Sequence, residues 1–449
     1  MRSAHVMNMT EGKPLPLLAR FAVPLLIGNV FQQAYNLADS MIVGRLLGAG
    51  ALAAVGATGS ISFLFFSVCN GISGGGGIVT AQYFGARKTE EVKRSISNAA
   101  YIMFSASLIT ALFAYLLVPT VLGWMGTPAE IMADAVTYMR MTCVSVPLVA
   151  VYNYASSMQR ALGDSRTPLY FLILSCLLNV GLDLLFVGSF GMGVFGAAFA
   201  TMLSQMTAGV GSLLYAIHTN DYFRLERRHF AFDRSISRES IRLGLPMAMQ
   251  WSMIAVSTTA LQTFANSFGT SAVAAYTATG RIDQLAQMPF GSMSIALSTY
   301  AGQNKGAGKP KRIRLGFKDS MIAMAALSAV MLLVMHLGGR GLMRLFVHEA
   351  DVIDLGSRAL RITSAFYVFL GTIYMARGVL NGVGDAFFSF INGIVEMICR
   401  IGLPLLLATI PAVGVWAIWL TTGVTWMLAG ISCVLRYISW YRNKAIYMD

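Results

Sequence analysis

The chain has 449 residues, of which 56% are hydrophobic and only 12% are charged, and its net charge at pH 7 is +13. A soluble domain carries roughly 25% charged residues, so this composition excludes a water-soluble globular protein. The basic residues occur in short clusters between apolar stretches, which favours a basic membrane face over a nucleic-acid-binding surface.

Twelve apolar segments follow one another between the charged clusters, most of them near the ~20 residues that a spanning helix needs. They cover residues 21–43, 56–81, 95–118, 136–158, 168–188, 193–217, 241–267, 280–301, 317–337, 359–380, 386–408 and 412–436. The predicted fold class is therefore an all-α integral membrane protein with twelve transmembrane helices.

The first span carries a polar stripe. Asn29, Gln32, Asn36 and Asp39 follow steps of three and four residues, so they share one helix face. A carboxylate in hydrocarbon costs about 2.5–3.5 kcal/mol on insertion scales and usually marks an ion or substrate path. The stripe is therefore predicted to face a cavity, with Asp39 as its leading functional residue.

The second span contains four consecutive glycines, Gly74 to Gly77. No strand precedes the run and no Gly-Lys-Ser/Thr follows it, so it is not a phosphate-binding loop. Close packing of the second span against other helices is the preferred interpretation, and a hinge is the alternative.

The fifth and sixth spans supply partners for Asp39. Asp39 and Asp183 each lie five residues before the predicted outer end of a span, about 7 Å of helix. Asn179 is one turn below Asp183, and Thr201 lies roughly 12 Å into the sixth span. These oxygen ligands at one depth predict a site for Na⁺ or a shared proton. The alternative is that each Asp is a buried hydrogen-bonding residue.

The basic residues alternate between the two sides of the membrane. The even-numbered connections carry Arg87, Lys88, Lys93, Arg94, Arg160, Arg166, Arg224, Arg227, Arg228, Arg234, Arg238, Arg242, Lys305 to Lys318, and Arg377. The positive-inside rule then places both termini in the cytoplasm of a cell whose plasma (inner) membrane holds the protein. Residues 338–358, which carry both signs of charge, are the exception and predict a folded outer segment.

The chain repeats itself at an offset of 221 residues, the separation of Gly85 and Gly306. Matching positions include Gln82 and Gln303, Ala86 and Ala307, Lys88 and Lys309, Gly163 and Gly384, and Asp164 and Asp385. The chain is therefore predicted to form two pseudo-symmetric six-helix lobes, residues 1–217 and 241–449, the second ending in a short cytoplasmic tail. A cytoplasmic basic linker, 218–240, joins them.

The carboxylate site is not repeated. At the same offset, Ala260 takes the place of Asp39 and Pro404 takes the place of Asp183. Only the first lobe is therefore expected to respond directly to a coupling ion.

The second lobe has its own polar residues within the spans. Glu396 and Arg400 are one turn apart and predict an intrahelical ion pair, whose role is either mutual neutralisation or substrate contact. Gln250 joins them in the predicted substrate cavity or proton network. Asp283, close to Arg281, is interpreted as a residue at the outer end of its span.

Four stretches resemble a known family, and the resemblance extends over nearly the whole chain. They read NLADSMIVGRLLGAGALAAVG at 36–56, AQYFGARK at 81–88, RALGDSRTP at 160–168 and NGVGDA at 381–386. Together they resemble the multidrug and toxic compound extrusion (MATE) transporters. The resemblance implies two six-helix lobes that export organic, often cationic compounds in exchange for sodium or protons.

Family members with a cation site in the first lobe use an Asp, an Asn with an Asp, and a Thr on the first, fifth and sixth helices. The resemblance places these roles on Asp39, Asn179, Asp183 and Thr201, and it adds Tyr138 on the fourth helix. Another branch uses acids on the seventh and tenth helices. The chain departs from that branch, because Ile254 occupies the first position and residues 360–380 contain no acid.

The predicted function is secondary antiport of amphipathic or cationic compounds against H⁺ or Na⁺, by a monomer in the lipid bilayer without a cofactor. A flippase for lipid-linked oligosaccharides or other lipids, from the same superfamily, is the alternative. A membrane-embedded enzyme is disfavoured, because no His or Cys pair and no Ser-Lys arrangement occurs within the spans.

Overall fold

The structure is a computed structural model that describes residues 5–445, without the side chains of Ser60 and of 443–445. Residues 1–4 and 446–449, which the predicted lobe boundaries and the predicted cytoplasmic termini include, lie outside the described residues. Across the described range, every regular element is helical.

Twelve α-helices follow in chain order. They are α1 (Pro14–Gly85), α2 (Thr89–Trp124), α3 (Ala129–Ala161), α4 (Arg166–Asp183), α5 (Gly193–Thr219), α6 (Arg234–Asn266), α7 (Thr270–Gly306), α8 (Pro310–Arg344), α9 (Ala350–Ser364), α10 (Tyr367–Gly382), α11 (Ala386–Leu407) and α12 (Ala417–Ala445). A π-helix, Leu184–Ser189, continues α4, and short 3-10 turns lie at Asp221–Phe223, Arg227–Phe230 and Gly414–Trp416.

The twelve helices do not correspond one to one with the twelve predicted spans. The first two spans both lie in α1, which breaks at Gly48, where φ is 87° and ψ is 179°. The tenth span is a pair, α9 and α10, bent by 49°. With α1 counted as two spans and this pair as one, the described residues contain the twelve predicted spans, and the predicted fold class is confirmed.

Most of these helices are long and apolar enough to cross a membrane. Within residues 5–445, nine pass by length and composition, or ten with the bent pair included. The two other long helices, α6 and α7, are more polar. A spanning helix with a polar stripe avoids lipid on that side, so α6 and α7 are expected to turn polar faces away from the bilayer.

The helices form two compact units. The first comprises mainly Arg20–Ala248 and contains spans one to six, and the second comprises mainly Met249–Lys305 together with the residues that follow Lys309. The predicted outer segment 338–358 belongs to the second unit and is largely helical. There the guanidinium of Arg340 on α8 lies 2.6 Å from the carboxylate of Asp354 on α9.

The linker between the lobes is anchored to α2. Asn98, which is fully buried, accepts a hydrogen bond from the backbone N–H of Asp233 at 2.8 Å and donates one to the carbonyl of Ala231 at 3.2 Å. His229, also fully buried, lies 3.0 Å from Glu90. The linker is therefore a folded part of the first unit.

The seventh span starts earlier than predicted. Its helix α6 begins at Arg234 and not near 241, because the Asp233 carboxylate accepts hydrogen bonds from the N–H groups of Ser235 and Ile236. A helix start capped by Asp does not depend on apolar residues. The hydropathy pattern therefore marked where α6 becomes apolar and missed its first two turns.

We expect Asn98→Ala to loosen the linker while leaving the spans folded. The change removes two hydrogen bonds to partly buried backbone groups, each worth about 0.5–1.5 kcal/mol. Limited digestion with trypsin should then cleave at Arg227 and Arg228 faster than in the wild type. The control is Thr137→Ala, which removes only an exposed hydrogen bond within α3. Equal digestion of Asn98→Ala and the wild type would contradict the anchoring role.

The glycine run packs against neighbouring helices. A Cβ added at Gly75 would lie 2.5 Å from the backbone nitrogen of Gly244 on α6, and one at Gly77 would lie 2.5 Å from the Ser157 hydroxyl on α3. At Gly76 the nearest atom would be the Ala99 methyl of α2, at 3.0 Å. Because real Cβ atoms do not approach so closely, the run serves close packing of this span.

Candidate cation-binding site

Two carboxylates from different helices meet inside the first unit. Asp39 on α1 and Asp183 at the end of α4 are close enough to share a hydrogen bond when one of them is protonated. Asp183 is fully buried, and Asp39 is partly buried. The Oδ1 atom of each carboxylate is buried without a hydrogen-bond donor among the described residues.

Asn179 and Thr201 complete one side of this pair. In the orientation that satisfies both ends of its amide, Asn179 donates through Nδ2 to Oδ2 of Asp183 at 2.8 Å. Its Oδ1 accepts from the backbone N–H of Thr201 at 3.1 Å and lies 3.2 Å from the Thr201 hydroxyl. The structure thus brings together all four residues that the sequence proposed for one cation site.

Two tyrosines border the carboxylates. Tyr138 on α3 lies within electrostatic range of Asp39 and Asp183. Tyr35 also interacts with both, and its hydroxyl lies 3.4 Å from the Thr201 hydroxyl. Sequence reasoning missed Tyr35, although a signal was present: it precedes Asp39 by one helical turn and so shares its side of α1.

An apolar layer covers the polar one. Val43, Val187 and Ala197 each lie four residues, one helical turn, from Asp39, Asp183 and Thr201 respectively, and they pack into one cluster with Ala51 and Val194. Val43, Val187 and Ala197 all lie between the site and the predicted outer ends of their helices. Water on that side is therefore separated from the carboxylates by packed side chains.

The charge of the site is not balanced by the protein. In the described part of the chain, no basic residue contributes to the electrostatic interactions of Asp39 or Asp183. Two adjacent carboxylates repel each other unless a proton or a cation lies between them. The described residues also contain no cluster of three His, Cys, Asp or Glu side chains that could hold a metal. Two carboxylates with neutral oxygens fit a monovalent cation or a proton.

The rest of the polar stripe does not join this site. Gln32 and Asn36 form a hydrogen bond of 3.4 Å with each other in an exposed position, and Asn29 is exposed as well. Of the four stripe residues, only Asp39, at the end of the stripe, belongs to the carboxylate pair. The stripe therefore divides into an exposed portion and one partly buried carboxylate.

The second unit contains a different polar cluster around Glu396. Its carboxylate pairs with Arg400 at 3.0 Å, as the spacing predicted, and also with Arg377 of α10. Arg400 donates to Ser257 at 3.0 Å, and Arg377 donates through Nε to Asn392 at 2.8 Å. Glu396, Arg377 and Arg400 are all buried. The cluster therefore carries one excess positive charge.

The assignment of Arg377 to a cytoplasmic connection was wrong. Arg377 lies in α10 five residues before its end, and Glu396 on α11 pairs with it. A buried arginine is tolerated where a carboxylate neutralises it.

Gln250 is also buried. It lies next to Gly393 of α11, because a Cβ added at Gly393 would be 3.2 Å from the Gln250 side chain.

The placement of Asp283 at an outer end was also wrong. Helix α7 begins at Thr270, ten residues before the predicted span, so Asp283 lies well inside it. Its buried carboxylate accepts hydrogen bonds from the hydroxyl of Tyr367 at 2.6 Å and from that of Thr363 at 3.4 Å. The second unit therefore contains a buried acid besides Glu396, and the hydrogen-bond partners described for Asp283 are hydroxyl groups.

Comparison with known proteins gives a family match. The family model MatE matches residues 24–185 and 246–406, one segment in each repeat. The probable multidrug resistance protein YoeA of Bacillus subtilis is 28% identical over 395 residues, covering 86% of this chain and 85% of that protein. A FAD transporter of Shewanella oneidensis is 26% identical over 433 residues, covering 93% of each.

Solved structures share the fold. A MOP superfamily transporter from Pyrococcus furiosus superposes with a TM-score of 0.92 at 22% identity, covering 98% of this chain and 99% of that one. An outward-facing multidrug resistance MATE family transporter of the same superfamily gives a TM-score of 0.90 at 22% identity and covers 99% of both chains. The twelve-helix, two-lobe architecture of those proteins is thus the architecture of this chain.

Proposed function

The chain belongs to the MatE family, and from that premise we propose that it is a secondary antiporter that exports organic compounds in exchange for H⁺ or Na⁺. The observation that carries this proposal is the pair of the partly buried Asp39 and the fully buried Asp183, which lies inside the first unit without a basic partner among the described residues. We place the protein in the plasma (inner) membrane as a monomer with both termini in the cytoplasm. The antiporter needs no cofactor and catalyses no chemical step.

In this mechanism the coupling ion changes the packing of α1 against α4 and α5 in the first unit. A proton or sodium ion between Asp39 and Asp183 removes their repulsion and draws α1 toward α4 and α5. Without the ion, the repulsion favours a different packing of α1. An ion can shift a conformational equilibrium only by its difference in affinity for the two states. Substrate and ion then weaken each other's binding by the same factor.

The proposal is tested with purified protein in proteoliposomes. Export of a fluorescent organic cation should follow an imposed proton or sodium gradient in the absence of any nucleotide, and it should stop when the gradient is collapsed. Transport that requires ATP, or that ignores both gradients, would refute ion-coupled antiport.

Sodium and protons are expected to compete for the site. Both neutralise the same pair of carboxylates, so a proton bound there excludes sodium. The sodium concentration that gives half-maximal export should therefore rise as the pH falls. Export rates measured against sodium at acid, neutral and alkaline pH, with choline keeping the ionic strength constant, check this. A half-maximal concentration that does not change with pH would argue against a shared site.

A second candidate substrate class is an anionic dinucleotide. The FAD transporter of Shewanella oneidensis aligns with 93% of this chain, and the Glu396 cluster has two guanidinium groups for one carboxylate. An anion is favoured by such an excess of positive charge. Parallel assays with FAD and with an organic cation, in the same proteoliposomes, separate the two classes.

A further inference from the structure

The first two turns of α6 form a basic cleft with Tyr83 of α1. Arg234, Arg238 and Arg242 line it together with Ser235, Glu239 and Tyr83, and its volume is about 1000 Å³. All three arginines are exposed. The cleft lies at the end of the first unit that the positive-inside rule places in the cytoplasm.

Acidic residues border the cleft as well, since Asp233, Glu91 and Glu239 act electrostatically on Tyr83, but only one of the three arginines forms an ion pair among the described residues. Glu239 forms an ion pair with Arg242 at 3.4 Å. Across residues 5–445, no ion pair involves Arg234 or Arg238. The nearby Asp233 carboxylate instead accepts hydrogen bonds from the N–H groups at the start of α6. Two guanidinium groups that form no ion pair, four residues apart, therefore line the cleft, and guanidinium binds phosphate through paired hydrogen bonds.

The same side of α6 becomes apolar further along. Arg234, Arg238, Ile241 and Leu245 are separated by steps of four, three and four residues, which places them on one helix face. Ile241 is 43% exposed and Leu245 is 50% exposed, so about half of each residue is left uncovered by the described residues. From Arg234 to Leu245 the helix rises about 16 Å, which is close to half the ~30 Å thickness of the hydrocarbon core.

Exposed aromatic residues lie immediately before the helix. Phe232, two residues before Arg234, is 66% exposed, and Phe230 is 50% exposed. Both belong to the linker segment that Asn98 anchors to α2. Large apolar side chains held at this level are suited to the boundary between headgroups and acyl chains.

From this arrangement we propose that the face Arg234–Arg238–Ile241–Leu245 is a binding site for an anionic phospholipid of the cytoplasmic leaflet. The phosphate binds Arg234 and Arg238 in the cleft, and an acyl chain lies along Ile241 and Leu245. A soluble phosphate compound would use the arginines but not the apolar continuation, so the combination of the two selects a lipid. The site is separate from Asp39 and Asp183, and it does not depend on which substrate is exported.

Native mass spectrometry of the full-length protein in detergent tests the proposal, with dioleoyl phosphatidylglycerol and dioleoyl phosphatidylcholine as probes. The wild type should bind the anionic lipid more tightly than the zwitterionic one. A basic residue near an anionic surface contributes roughly a fivefold gain in affinity, so Arg234→Gln/Arg238→Gln should lose about thirtyfold for phosphatidylglycerol. Its affinity for phosphatidylcholine should not change.

The control variant is Lys311→Gln/Lys318→Gln, which removes the same charge from two exposed residues of α8 and should bind both lipids as the wild type does. An equal loss in the two double variants would mean a general attraction to positive charge and would overturn the site. Displacement of the lipid by soluble glycerol phosphate at equal concentration would overturn the assignment to a lipid. Equal wild-type affinity for the two lipids would overturn it as well.

Discussion

Replacing Asp39 by Asn should abolish ion-driven export while the protein still inserts, folds and purifies. The amide is almost the same size as the carboxylate, so the packing of α1 against α4 and α5 is kept. It removes one of the two negative charges that hold the ion, and the remaining carboxylate no longer needs a shared proton. We expect the initial export rate in proteoliposomes to fall at least about tenfold, which corresponds to about 1.4 kcal/mol.

The companion variants assign the effect to the pair. Asp183→Asn should lose the ion dependence in the same way, because Asp183 and Asp39 act as one site. Asp283→Asn removes a buried acid from the second unit and should keep the ion dependence if only the first lobe responds to the ion. Wild-type export by Asp39→Asn at equal expression would refute the assignment. Loss of ion dependence in Asp283→Asn would instead give the second unit a part in coupling.

Replacing Glu396 by Gln should strongly destabilise the protein. Glu396 is the only acid paired with Arg377 and Arg400 among the described residues, so the change leaves two buried guanidinium groups without a counter-charge. Breaking a buried ion pair from one side costs about 3–5 kcal/mol. The thermal unfolding midpoint of the purified protein should fall by several degrees or more, whether or not a substrate is present.

The matched control is Asp385→Asn, which breaks the pair between Asp385 and Arg436 at 2.7 Å. Arg436 is 44% exposed there, and such partly exposed pairs contribute about 0–1 kcal/mol, so the midpoint should barely move. If Glu396→Gln unfolds at the wild-type temperature but loses substrate affinity, the cluster serves substrate contact. In that case mutual neutralisation is not its main role.

The sequence predicted the fold well because a bilayer imposes a simple rule on apolar length. The residue at which a span begins or changes direction could not be predicted from apolar length. The start of α6 at Arg234 depends on one capping carboxylate, and α1 is broken between the first two spans by the non-helical backbone angles of Gly48. Hydropathy detects neither a cap nor a dihedral angle.

The candidate site could be assembled from sequence because its ligands are charged or polar residues at matching depths in apolar helices. Asp39, Asn179, Asp183 and Thr201 could be grouped on that argument alone. Tyr35 was missed because a tyrosine in a span is common and only the neighbouring helices show where its hydroxyl points.

The two incorrect placements share one cause. Arg377 and Asp283 were each assigned by their distance from a predicted span end, and a charged residue near such an end is normally solvated. Arg377 on α10 pairs with Glu396 on α11, and Asp283 on α7 pairs with Tyr367 on α10, at separations of 19 and 84 positions. Pairing of this kind depends on how the helices pack, and no single-helix pattern reports it.

The break in α1 also shows what kind of constraint joins the first two spans. A Cβ built on Gly48 would meet no atom within 4 Å, so space does not restrict this position. Its backbone angles of 87° and 179° are available almost only to glycine among L-residues. The mirror image of this conformation is ordinary extended backbone, which a D-alanine would adopt without strain. The change of direction nine residues after Asp39 therefore depends on a single α-carbon that carries no side chain.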